Sequence, residues 1–171
     1  MSNDLPPLRP DLTDPRLAAL YAYWDGKRAD RPMPARGDID PVEMRPWLGN
    51  LLLIDVTPDG RFVYRLYGTR FVDSFGLDMT GRSVDELPAD QRERVRSDYE
   101  AVRSTGQPRA RLYTALFDSS PSGLRPATAT TLRTPQVVTW ERLVLPLGET
   151  AQTVAMLLVG AYPLADLRPS T

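Results

Sequence analysis

The chain contains neither cysteine nor histidine, and these two absences remove whole reaction classes before any motif is considered. Without Cys there is no thiolate nucleophile and no disulfide; without His there is no Ser-His-Asp triad and no imidazole switch near neutral pH. Zinc fingers need one or both residues, and a haem would have to rest on rarer Met or Tyr ligands. Neither a metal nor a cofactor is expected. Lysine is scarce as well: twenty of the twenty-one basic residues are Arg. Arg makes forked contacts with carboxylates that Lys does not reproduce, although a compositional bias accounts for the excess without invoking function. Net charge is also lacking, at −1, so no overall field draws nucleic acid or an anionic membrane, and neither is an expected partner. Apolar runs are short. The longest, Val154 to Tyr162, falls well below the roughly 20 residues of a membrane-spanning helix.

What remains is the composition of an ordinary globule. With 171 residues, 42% hydrophobic and 25% charged, the chain can build one core of its own and has the length of one domain. Residues 1–12 form a Pro-rich stretch without the basic-then-apolar pattern of a secretory signal. They are expected to be a disordered leader of a cytoplasmic protein.

Asp14-Pro15 is a plausible N-cap and first-turn pair, and Leu17, Leu20, Tyr21 and Trp24 follow at helical spacing, which predicts a helix over 15–28. Residues 29–37 read as a linker lying against the domain. Asp40-Pro41-Val42-Glu43 has the cap, first-turn proline and capping-box acid of a second, short helix. Leu51–Val56 and Phe62–Tyr67 flank Thr57-Pro58-Asp59-Gly60-Arg61, a β-hairpin pattern. Helices over 69–75 and 89–104 come next, then strands over 109–117, 137–147 and 153–162. Two strands, a helical block and three strands predict an α+β fold with an antiparallel sheet. The last strand is apolar at every position through Val159, so both faces of the sheet need cover. The helical block supplies one cover. The Leu17/Leu20/Tyr21/Trp24 stripe suits the other, either within one subunit or as the contact of a homodimer. The 118–135 connection is rich in Ser, Thr and Pro and is expected to be flexible.

Four stretches carry a resemblance: Pro34-Ala-Arg-Gly-Asp-Ile-Asp-Pro41, Phe62-Val-Tyr-Arg-Leu-Tyr-Gly-Thr69, Thr80-Gly-Arg82 and Glu141-Arg-Leu-Val-Leu-Pro-Leu147. With the element order they resemble a divergent bacterial family of stand-alone PAS domains. Leu77, where a basic residue is expected, and the long 118–135 connection depart from that pattern. The resemblance implies a PAS-like five-stranded antiparallel sheet with helices on one face, over residues 37–164. Residues 13–36 would be an N-terminal helix and linker covering the other face, and 165–171 a tail. It also implies a regulatory sensor or interaction module without catalysis of its own, acting through a signalling partner or its own dimer. Cysteinyl-flavin photochemistry, a thiol-linked chromophore and His-ligated haem are excluded by composition.

Five residues are candidates for holding a small organic ligand, with a carboxylate favoured: Arg65, Tyr67, Tyr113, Trp140 and Arg142. Arg65 sits between Tyr64 and Tyr67, where its guanidinium can stack, hold a carboxylate or make a structural ion pair. Glu141 and Arg142 interrupt an apolar strand and must point to opposite faces. An inward Arg142 needs either a carboxylate from the helical block or a bound anion. Thr69 is a candidate helix cap. Asp73, Asp78, Asp85 and Glu86 cluster around the helical block; they are either solvated acids or the acid-base pair of a small α+β enzyme, the alternative function.

Overall fold

The computed structural model describes residues 9–117 and 136–164; residues 1–8 of the leader, the whole 118–135 connection and the 165–171 tail lie outside them. Five antiparallel strands form one sheet in the order β2-β1-β5-β4-β3, comprising β1 (Leu51–Val56), β2 (Phe62–Tyr67), β3 (Arg109–Phe117), β4 (Gln136–Leu147) and β5 (Met156–Pro163). Three α-helices accompany it: α1 (Pro15–Arg28), α2 (Thr69–Phe75) and α3 (Ala89–Thr105). The two hairpins β1-β2 and β3-β4 meet on β5, whose hydrogen bonds run to β1 on one side and β4 on the other. Central placement explains the uninterrupted apolar sequence of β5, since neither face nor edge is left to water.

Local chemistry starts α1 where the sequence predicts. Asp14 adopts extended backbone and its carboxylate accepts the Arg16 N–H, with Pro15 in the first turn. The helix then crosses the outer face of the sheet. Leu17, Leu20, Tyr21 and Trp24 are buried there, and the Trp24 indole donates to the Pro146 carbonyl at 2.8 Å. Contact is close enough that a Cβ on Gly160 would stand 2.6 Å from Leu20 Cδ2 and 2.9 Å from Leu17 Cδ2. The stripe is therefore consumed within the chain. The expectation that these four side chains form a dimer contact does not fit this arrangement, because none of them is exposed to a second copy.

The helix expected at Asp40 is not formed. Residues 41–47 are successive hydrogen-bonded turns, followed by a short 3-10 turn at Leu48–Asn50. The cap signal is genuine, since Asp40 accepts the Val42 N–H at 2.8 Å. Glu43, however, points away from the cap and binds the Tyr23 hydroxyl at 2.9 Å and the Lys27 ammonium at 2.6 Å. These contacts to α1 replace the capping box, and Pro46 stops propagation. The 29–37 segment does lie against the domain, with Met33 buried and the Pro34 carbonyl accepting the Gly148 N–H. The last strand begins at Met156 and not at Thr153, which makes only an isolated bridge to Thr150.

At the start of α2 the cap position is Gly68, not Thr69, and no side chain caps the helix. A Cβ at Gly68 would collide with the Gly49 carbonyl and stand 2.8 Å from that of Leu51, so backbone proximity decides this residue. Among the described residues no helix is long and apolar enough to cross a membrane.

Candidate functional site

Between the inner face of the sheet and helices α2 and α3 lies a cavity of about 260 Å³. The sheet contributes Leu52, Tyr64, Tyr67, Tyr113, Arg142 and Ala161; α2 contributes Phe71 and Phe75. Leu87 and the first half of α3, including Asp90, Arg94 and Val95, complete the wall. The rings pack on one another. Tyr64 and Tyr67 meet edge to face at 5.2 Å between centroids, Tyr67 lies 5.7 Å from Phe71, and Phe71 is nearly parallel to Phe75 at 6.5 Å. Trp140 stands behind this layer, stacked on Phe71 at 6.1 Å and Tyr113 at 6.5 Å. It buttresses the wall and does not line the cavity.

Strand alternation sends Glu141 and Arg142 to opposite faces, as the sequence requires. Glu141 turns outward beneath α1, where its two carboxylate oxygens accept the Thr13 N–H at 2.7 Å and the Asp14 N–H at 2.6 Å. A buried carboxylate thereby anchors the chain as it enters α1. Arg142 turns inward and ion-pairs with Asp98 of α3. Asp98 also faces Arg109 at 3.0 Å and Arg111 at 3.3 Å, both on β3. Three guanidiniums thus share one buried carboxylate. Arg142 lies over the Tyr113 ring at 4.8 Å, and its Nε has no hydrogen-bond partner.

Burial is the largest influence on the phenols of the wall and raises all of them. Tyr113 is pushed up to about 12, with the Arg142 charge opposing the rise. Tyr67 is raised further, and Tyr64 is raised well above its ordinary value. The phenols therefore stay neutral at ordinary pH and form walls that keep their O–H groups.

Of the five sequence candidates, Tyr67, Tyr113 and Arg142 line one cavity and Trp140 supports it. Arg65 does not belong. The β1-β2 register passes from Leu53↔Leu66 to Ile54↔Tyr64, leaving Arg65 as the extra residue of a bulge. It turns out to solvent and pairs with Asp55 at 2.7 Å. The acidic cluster also disperses: Asp85 pairs with Arg96, Glu86 with Arg82, and Asp78 accepts from Thr80, all outside the cavity. Asp73 is exposed. No group of side chains able to hold a metal ion occurs among the described residues.

Asp98 escaped the sequence reading, although a signal was present. It lies three residues after Val95 and four before Val102, a lone acid within the apolar stripe of α3. Phe71 and Phe75, four apart on α2, form a second missed pair.

A family model described as PAS domain matches residues 12–162, a span that includes α1. Among solved structures, a variant of RsLOV aligns with TM-score 0.41 and 15% identity over 78% of this chain and 73% of that one. An RNA-binding light-oxygen-voltage receptor aligns with TM-score 0.36 and 17% identity, over 71% of this chain but only 31% of the receptor. No curated protein matches. With the sheet order, the covering helices and a family match over most of its length, this chain belongs to the PAS-domain family.

Proposed function

We propose that this protein is a regulatory sensor module, working in the cytoplasm without catalysis of its own, that binds a small organic anion and passes occupancy to a protein partner. The observation that carries the reading is the ring-lined cavity with buried Arg142 on its wall. Cavities of this kind bury most of a ligand's surface and use a few polar groups to fix its orientation. Arg142 also belongs to the ion cluster joining β4, β3 and α3, so an anion accepting from its unfilled Nε draws on the same guanidinium that holds Asp98. That added contact changes how α3 is held, and a ligand shifts an equilibrium only through differential contacts of this sort. The enzyme alternative loses its motivation, because the acids suspected of acid-base work face solvent.

Homodimerisation through α1 would require the helix to be exchanged between copies, since its apolar stripe is already covered. Native mass spectrometry of the purified protein, repeated after denaturation, tests the proposal. The expected result is a stoichiometric small molecule released on unfolding, or one captured from a chemically diverse set with chemical-shift changes at Tyr67 and Tyr113. A protein that is empty and whose cavity resonances respond to no compound in the set overturns the sensor reading. The same spectra report the oligomeric mass.

A further inference from the structure

The proposed sensor role names only a small organic anion, but the cavity constrains the ligand further. An apolar cavity of about 150 Å³ accepts benzene, and drug-sized ligands occupy pockets from about 300 Å³ upward. At about 260 Å³ this cavity is large enough for one or two fused rings bearing a short substituent. Five of its lining side chains are aromatic, presenting both faces and edges, and such surfaces favour a flat aromatic guest over a puckered aliphatic one.

Its charge is equally selective. Arg142 is 4% exposed; one end of its guanidinium is held by Asp98, whereas Nε finds no acceptor. A buried, charged donor without an acceptor is costly, and an ionised oxygen is its best complement. Of the three guanidiniums around Asp98, Arg109 and Arg111 are partly exposed and do not line the cavity, so only Arg142 Nε is left there to receive a negative oxygen. One charge is matched, and a second is not. The other cation on the wall, Arg94, already reaches the Thr114 carbonyl at 3.1 Å and Asp90 at 3.4 Å, and the remaining lining is largely apolar. A phosphate monoester would bring more charge and more oxygens than these donors satisfy.

We infer that the ligand is a mono- or bicyclic aromatic monocarboxylate, its ring packed on Phe71, Tyr64 and Tyr67 and its carboxylate accepting from Arg142 Nε. This inference rests on the sensor reading and is narrower than it. Three probes of nearly equal size separate the two: naphthalene-2-carboxylate, naphthalene-2-carboxamide and decahydronaphthalene-2-carboxylate, titrated calorimetrically into the full-length protein. The acid should bind at least about tenfold more tightly than the amide, the difference a charge-assisted contact makes, and more tightly than the saturated acid. In Arg142→Lys the charge stays but the Nε donor is lost; the preference for acid over amide should fall several-fold. Should that variant fail to fold, the unsubstituted protein with the three probes decides alone. An amide that binds as well as the acid, a saturated acid that binds better, or no binding by any probe overturns the inference. The sensor reading survives each of these results as long as some other compound binds and shifts the cavity resonances.

Discussion

Asp98 shows how much a single residue carries here. It is buried on α3 and faces Arg109, Arg111 and Arg142. Of these only Arg142 is itself buried, so removing the carboxylate leaves one uncompensated charge in the core. Asp98→Ala is expected to lower stability by about 3–5 kcal/mol, read as a lower urea midpoint; a loss under ~1 kcal/mol would mean that water already screens the cluster. Gly160 offers an independent check. A methyl there meets two buried leucine methyls of α1, and overpacking of this sort costs about 1–3 kcal/mol. Gly160→Ala should therefore lower the midpoint, whereas the same change at Gly37, whose Cβ would meet nothing within 4 Å, should leave it in place. Single residues were legible in the sequence when strand alternation determined them, as for Glu141 and Arg142. Arg65 was not, because a bulge removes the residue from the alternation on which such a reading depends. The cap of α2, expected at Thr69, falls instead on Gly68, whose requirement is the approach of the Gly49 and Leu51 carbonyls, which adjoin it only after folding.

At the scale of elements, α1, both β1-β2 strands and α3 were readable because caps, turn residues and periodicity are local signals that agree with the final packing. The Asp40 segment carried an equally good local signal and still formed turns, since Tyr23 and Lys27 of α1 draw Glu43 away from the cap. The pairing of α1 with the outer face of its own sheet was open in the sequence, which described the stripe but not its partner. That placement makes a testable distinction. Trp24 is fully buried, and its indole donates to Pro146, so Trp24→Ala should cost about 3–5 kcal/mol while leaving the mass in light scattering unchanged. A variant of wild-type stability but altered oligomeric mass would instead identify α1 as an intersubunit element. The cavity itself was only partly legible: Tyr67, Tyr113 and Arg142 were identified from their strands, whereas the α2 rings required knowing how that helix folds over the sheet.

For the whole molecule, the buried phenols couple stability to alkaline pH. Tyr64, Tyr67, Tyr99 and Tyr113 are all raised above the ordinary value of 10.0, with burial the largest cause in each. In the unfolded chain they lose their protons near 10, while in the folded protein Tyr113 holds its proton to about 12, Tyr67 holds its own longer, and Tyr64 and Tyr99 are raised as well. Between these limits the folded state binds more protons than the unfolded state. Stability is therefore complete below about pH 10 and falls as pH rises beyond it. The phenolate absorbance should show a fraction of the seven tyrosines titrating only together with loss of near-ultraviolet circular dichroism, as the fold gives way. Ordinary titration of all seven in a protein that keeps its tertiary signal would mean that the cavity wall is open to water. An aromatic acid filling the cavity should move the coupled transition to higher pH, because a ligand held only by the folded state stabilises it in proportion to its occupancy. The neutral amide, at equal concentration, should move it less.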